Sequence, residues 1–403
     1  MIKIQDKQDC CGCSACVQRC PKHCISMKED EEGFLYPVVD ESLCINCGLC
    51  EKTCPIINRP EKLPVMKVLA VKNRNEKERM ASSSGGVFIA LAKKVIEQGG
   101  VVFGAVFDES WEVKHTYAET LDGVKPMMGS KYVQSRIGES FCHAEKFLKE
   151  GRKVLFTGSP CQITALNNYL HKDYPNLLSV DFLCHGVPSP GVWRKYLEEM
   201  SSLSAFKAAA GKNSVLSSSI KSVPVITGIE FRDKTLHGWK KYSFVVRGSA
   251  PKADKNTVLL SDIHYENPYM KGFLADVYLR PSCYRCRCKN GVSHSDLTIG
   301  DFWGIGSVMP DFDDDKGVGI VLLNTDKGKC VFDTLDMEVR ETDITAASIL
   351  NGGFKENVKI HPKRMEFYKK VLNGKDVSSV VAQVLNVTFL MRVFRKVKRI
   401  MKH

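Results

Sequence analysis

Eight cysteines in the first fifty-four residues form one pattern twice: Cys10, Cys13, Cys16 and Cys20 before Pro21, then Cys44, Cys47, Cys50 and Cys54 before Pro55. In such a C-x2-C-x2-C-x3-C-P run, three thiolates on a tight loop reach three irons of one cubane, and the fourth ligates the neighbouring cluster. The pattern predicts two [4Fe-4S] clusters, one on Cys10, Cys13, Cys16 and Cys54, the other on Cys44, Cys47, Cys50 and Cys20. Structural zinc sites use two C-x-x-C-like pairs, and a doubled run of four exceeds that need. Disulfide frameworks belong to small secreted folds, whereas the opening MIKIQDKQDC has no apolar leader. The expected chemistry is one-electron transfer.

Four further cysteines, Cys161, Cys184, Cys283 and Cys286, fall at strand ends or in tight turns and together suit a third cluster. Buried free cysteines would look the same. Cys161 is expected in the first turn of a helix, where the N-terminus favours the thiolate. Clusters carry single electrons, so a link to organic chemistry calls for a two-electron partner, commonly a flavin. Two Ser-Gly loops at helix starts, Ser82-Ser83-Ser84-Gly85-Gly86 and Gly158-Ser159, offer the backbone N–H groups and hydroxyls that bind phosphate. There is neither a G-x-G-x-x-G after a strand nor a G-x4-G-K-[ST], so neither a Rossmann nicotinamide site nor a P-loop is indicated.

Alternating elements must position these residues. A strand over Val68 to Val71, a helix over Val87 to Gln98 and a buried strand over Val101 to Phe107 come first. Lys153 to Thr157 reads as a strand, with Ser159 as N-cap and Pro160 opening the next helix. Leu177 to Leu183 is the next strand, and Ser189-Pro190 starts the helix carrying Trp193 and Tyr196. This alternation predicts an α/β body with a largely parallel or mixed sheet and a site at the strands' carboxyl ends. Ser201 to Ser222 reads as a loop and insertion, Ile229 to Arg247 as a hairpin, and Asp311 to Asp315 as a solvated acidic turn.

The 403 residues, 43% hydrophobic and 26% charged, suit a globular chain of two or three domains. No apolar run is long enough to span a bilayer, and seventeen cysteines without a leader suggest a reducing cytoplasm. The net charge of +12 leans on the end of the chain, where Arg392, Arg395, Lys396, Lys398, Arg399 and Lys402 stand without an acid. With Phe389, Val393, Val397 and Ile400 at helical spacing, that tail suits a terminal helix packed on the body, or a peripheral membrane or acidic-partner contact. No nucleic-acid-binding module is recognisable, so nucleic acid is not an expected partner.

The stretches SSSGGVFIALA, GSKYVQS, FTGSPCQITAL, DFLCHGVPSP, RPSCYRC and DLTIGDFWGIG, in this order, resemble the family of coenzyme F420 hydrogenase/dehydrogenase beta subunits over Lys67 to Leu323, with a ferredoxin module in front. The resemblance implies an α+β ferredoxin-like module followed by an α/β flavin-binding body with a mixed sheet. It also implies FAD and a third [4Fe-4S] cluster on Cys161, Cys184, Cys283 and Cys286. By the same motifs Ser84, Gly85, Gly86, Ser130, Lys131, Gln134, Ser135, Thr157, Gly158, Ser159 and Gln162 are candidate flavin contacts. Lys131 would neutralise a phosphate or reduced flavin, though a surface ion pair is its plain alternative. His185 would deliver a proton, or serve simply as a hydrogen-bonded turn histidine. Asp301, Trp303 and Gly304 would close the site. Cys11, Cys24 and Cys288 are extra to the pattern, and Cys288 could replace Cys286.

The expected organisation is a cluster module over 1–58, a linker over 59–66, a body in two parts over 67–148 and 149–362, and a basic tail over 363–403. The expected function is an iron-sulfur flavoprotein passing electrons between ferredoxin, or another redox partner, and FAD to reduce a small organic substrate or coenzyme. The rival is an electron-transfer subunit whose chemistry is done by another chain.

Overall fold

Small cysteine-rich segments bury little apolar surface, and the first fifty-eight residues fold around their thiols. Two four-residue helices, Ala15–Gln18 and Leu49–Lys52, follow Ser14 and Gly48, both in left-handed backbone conformation. Strands β1 (Ile25–Glu29) and β2 (Leu35–Val39) form a hairpin. The computed structural model describes residues 1–201, 225–249, 257–348 and 356–386. The expected insertion beyond Ser201 and the basic end of the tail lie outside the described residues.

The body is built on β3 (Lys67–Asn73), β4 (Val101–Phe107), β5 (Val113–Ala118), β6 (Val154–Gly158), β7 (Leu177–Phe182), β8 (Val225–Asp233), β9 (Ser243–Ser249), β10 (Thr257–Ile263), β11 (Leu297–Asp301), β12 (Gly319–Leu323) and β13 (Met337–Thr342). Eight of these form a mixed sheet in the order β13-β3-β12-β11-β7-β6-β4-β5. Its centre, β4, β6, β7 and β11, is parallel, and the flanking pairs are antiparallel. Alternate residues of the parallel strands serve two cores: Val101, Phe103, Val154 and Phe156 face one side, Val102, Leu155 and Leu178 the other. Strands covered on both faces read as continuous apolar runs, which is why these were visible in the sequence.

The hairpin expected over Ile229 to Arg247 is present as β8 paired antiparallel with β9, and β10 extends it to a three-stranded sheet. The acidic turn is solvent-exposed at Asp311 and Asp314, as expected, and its carboxylates are also paired: Asp311 with Arg340, Asp313 with Lys240 and Asp314 with Arg79. The stretch from 363 begins with helices Arg364–Leu372 and Val377–Leu385, whose Phe367, Val371, Val377, Val380, Val381 and Val384 are buried in the body. Among the described residues no helix is long and apolar enough to cross a membrane.

The cluster module is seated on the body by close backbone contact and buried polar bonds. Gly33, at a φ of +84°, lies against Gly191, so closely that a Cβ on Gly191 would come within 2.8 Å of the Gly33 Cα. Glu32 forms a buried ion pair with Arg364, and the Ser189 hydroxyl donates to the Glu32 carbonyl. Gln18 Oε1 accepts from the Phe141 and Cys142 amides, each at 3.1 Å.

Candidate functional site

The two short helices carry Cys16 and Cys50 inward, and the paired runs divide into two groups. Cys10, Cys13, Cys16 and Cys54 are buried and are electrostatic neighbours of one another. Burial pushes the Cys16 thiol up to about 12, so it stays protonated at neutral pH until a metal displaces the proton. Cys20, Cys44, Cys47 and Cys50 line a hollow together with Cys24, whose sulfur is 3.4 Å from that of Cys20. Cys47 is exposed, which brings this group to the surface. Among the described residues no three His, Cys, Asp or Glu side chains gather as a single ion would need. Sulfurs spread around hollows suit the donor set of a cubane.

The carboxyl edge of the parallel strands gathers the second set. After β6, Ser159 caps helix Pro160–Leu170 in a reciprocal arrangement with Gln162, which places Cys161 in the first turn. Cys184 follows β7, and Cys283 and Cys286 come from the turn Pro281–Arg285 and its end. The four thiols are mutual charge neighbours. The helix N-terminus does not leave Cys161 a thiolate: its hydrogen bond with Cys11, and then burial, hold it well above the ordinary thiol value. Cys288 is buried beside Cys161 and Cys286. Cys11 touches both Cys13 and Cys161, and so joins the first thiol group to this one. Its meaning was unreadable in the sequence, where Cys13 and Cys161 stand far apart.

The expected phosphate loop, Ser82 to Gly86, follows helix Glu76–Ala81. Ser83 Oγ accepts from the Ser130 amide at 2.7 Å and its hydroxyl at 2.9 Å. Ser84 donates to the Val318 carbonyl, and Gly85 packs on Gly319, leaving no room for a Cβ. Gly86 is left-handed at the start of helix Val87–Glu97. Lys131, expected as an anion partner or surface ion pair, has carbonyl partners: its ammonium donates to Met128 and Gly129 at 3.0 and 3.2 Å. Desolvation pulls it down to about 7.

His115 is a site residue that sequence reasoning missed. It is held down to about 4 by burial, donates from Nε2 to the Thr157 carbonyl at 3.0 Å, and among the described residues leaves Nδ1 without a hydrogen-bond partner. Its inward place on β5, in register with Val113, was the available signal. Thr157 donates to Phe103 O, and Gly158 lies between it and the Ser159 cap. Ser135 accepts from Gln162 at 3.0 Å. Gln134 stands at the seam with the cluster module, its Nε2 donating to Cys11 O at 2.9 Å and its Oε1 accepting from Arg280 at 3.0 Å.

Asp301 takes both arms of the buried Arg232 at 2.8 Å and accepts from Trp239 Nε1 at 2.9 Å. Burial pulls the Asp301 carboxyl up, but Arg232 holds it below the usual range. Trp303 stacks on Trp239 at 4.7 Å, and Gly304 is left-handed before a short helix. Arg232, which also reaches the Ser83 carbonyl, gave no sequence signal beyond lying in a strand. His185 meets Asp276 at 2.6 Å, an orienting partner for its imidazole, and its ring abuts Phe273, which stacks on Tyr132.

Residues 151–347 match the family model for the C terminus of the coenzyme F420 hydrogenase/dehydrogenase beta subunit, and residues 9–56 that of the 4Fe-4S dicluster domain. The F subunit of the F(420)H(2) dehydrogenase of Methanosarcina mazei is 25% identical over 173 residues, 39% of this chain and 47% of that protein. The coenzyme F420-dependent sulfite reductase of Methanocaldococcus jannaschii is 25% identical over 174 residues, 43% of this chain and 27% of that protein. The chain thus spans less than half the length of either relative. A chain of the F420-reducing [NiFe] hydrogenase complex from Methanosarcina barkeri aligns with 78% of this chain and 94% of its own at 18% identity and a TM-score of 0.44.

Proposed function

Since this chain belongs to the family of coenzyme F420 hydrogenase/dehydrogenase beta subunits, with a 4Fe-4S dicluster domain ahead of that body, we propose that it passes electrons between a ferredoxin-like partner and FAD for reduction of an organic substrate or coenzyme. The observation that carries this reading is the continuity of thiols from an exposed cysteine to the body's interior. They run from Cys47, through the Cys10 group, to Cys11 and the set around Cys161. In the proposal Cys161, Cys184, Cys283 and Cys286 hold a third cluster. Ser84, Gly85, Gly86, Ser130, Lys131, Ser135, Thr157, Gly158, Ser159 and Gln162 surround FAD. Bound clusters supply single-electron transfer and bound flavin the two-electron chemistry.

The residues' own work follows from their chemistry. Lys131, which donates to two carbonyls, lies over the Phe107 ring and meets no carboxylate among the described residues, supplies a charge for a phosphate or an anionic ring. His185, oriented by Asp276, holds a proton that it can give or take. Rigid seating of the cluster module keeps the thiol groups at fixed separations. The nearness of family members that are themselves subunits favours the rival, in which another chain performs the chemistry. Turnover of a reduced deazaflavin with a dye by this protein alone would remove that rival.

FAD affinity tests the reading. Lys131's folded value lies below the ordinary lysine value, so the residue costs stability increasingly as pH falls from the ordinary lysine value to about 7, with the full cost present below that, and an anion at the ammonium offsets it. Above that pH, binding an anion must draw in a proton. FAD affinity is therefore expected to fall with rising pH, approaching a limit of about tenfold per unit for one proton. Lys131→Met should weaken binding roughly thirtyfold, about 2 kcal/mol for a charge-assisted bond, and flatten the pH profile. A fluorescence titration of apoflavoprotein showing no flavin binding, or pH-independent binding, contradicts the assignment.

A further inference from the structure

Arg280 is only 1% exposed, yet among the described residues no carboxylate pairs with it. Its Nε donates to Cys10 O at 2.7 Å, one Nη to Leu35 O at 2.9 Å and the other to Gln134 Oε1 at 3.0 Å. The same nitrogen that meets Leu35 lies 3.6 Å from Cys10 Sγ, within hydrogen-bond range for the larger sulfur atom. Tyr36 and Phe34 cover the guanidinium at 4.5 and 5.3 Å from their ring centroids. Gly12, at a φ of +70°, closes the other side: a Cβ there would come within 2.7 Å of Nη1. Its electrostatic neighbours are thiols from both sides of the seam, Cys10 and Cys11 from the module and Cys283 from the body.

A buried guanidinium cannot lose its proton, and carbonyls satisfy its N–H groups without cancelling its charge. The anions placed to do so are the thiolates. We propose that Arg280 is a positioning residue that raises the reduction potential of the cluster held through Cys10 and, more weakly, of the one held through Cys283, so that the two work as neighbouring relays. A thiolate-held cluster gains one negative charge when one electron enters, and no proton follows because Arg280 does not titrate. A fixed cation and an N–H···S bond stabilise the more negative form, and both are established determinants of cluster potential. The inference rests on the proposed cluster assignment but not on flavin.

Potentiometric EPR titration of the anaerobically purified full chain reads it directly. Arg280→Gln keeps hydrogen-bonding capacity and removes the charge. It is expected to make reduction of the Cys10-held cluster at least tenfold less favourable, a drop of about 59 mV for a one-electron couple. Arg280→Lys keeps the charge and should shift it by less than half as much. Gln134→Glu leaves Arg280 in place and sets a carboxylate against it, so it should lower the same potential even where the Arg280 variants fail to assemble. Iron counts tell the outcomes apart. Missing clusters in the unaltered protein overturn the cluster reading itself. Intact clusters whose potential moves less than twofold in equilibrium constant in Gln134→Glu, or in Arg280→Gln where it assembles, overturn the role of Arg280.

Discussion

Cys283→Ser is expected to leave the protein with about eight irons where the unaltered chain carries about twelve, four for each cubane. Cys283 sits on a turn with its amide bonded to the Arg280 carbonyl, its sulfur accepts from the Val187 amide at 3.4 Å, and it neighbours Cys161 and Cys286. Serine preserves the turn and the size of the side chain, so the module in front should keep both of its clusters. Flavin should still bind, but its reduction by electrons entering at the exposed cluster should fall at least a hundredfold. Stopped-flow mixing with a reduced low-potential donor separates these outcomes: the N-terminal clusters bleach at the normal rate while the flavin band persists. A full complement of iron in this variant would remove Cys283 from the ligand set. Cys288, buried beside Cys161 and Cys286, would then be the replacement to test.

Glu32→Gln should have the second largest effect. Glu32 and Arg364 have side chains about a tenth exposed, at 10% and 9%, and the Arg364 guanidinium also donates to Leu279 O and lies over the Tyr368 ring. Removing one partner of such a pair strands the other charge, with an expected loss of about 3 kcal/mol. Because the pair ties the module to a helix of the body, that loss should appear as local opening. Hydrogen exchange in the peptide spanning residues 30–36 should accelerate more than a hundredfold, while exchange in β6 stays unchanged. Pairing Glu32→Leu with Arg364→Met should recover much of the stability, since no charge is then left buried. Unchanged exchange in Glu32→Gln would show that the Gly33–Gly191 contact seats the module without help from the ion pair.

The parts of the molecule that were legible in the sequence are those with local rules. Thiol spacing, the Ser159-Pro160 helix start and the apolar runs of β4, β6 and β7 each depend on residues a few positions apart, and the described elements stand where those signals put them. Helix Glu76–Ala81 was hidden because its residues are almost all polar, with Asn75 as the cue that could have revealed its start. The helices from Arg364 onward were read as part of a tail; charge is frequent in Arg364–Leu372, but Val377–Leu385 is uncharged, and its Val377, Val380, Val381 and Val384 carry the helical period. The seam was beyond reach. Arg280 meets Cys10 across 270 positions, and Glu32 meets Arg364 across 332, distances over which no periodicity speaks. Buried charges of this kind declare themselves only when packing shows what surrounds them.

The proposal that one chain joins three thiolate-held clusters to a flavin is tested most directly by quantifying iron, acid-labile sulfide and FAD in anaerobically purified protein. The account predicts about twelve irons, about twelve sulfides and about one FAD per chain. About eight irons without flavin, two cubanes alone, would contradict it.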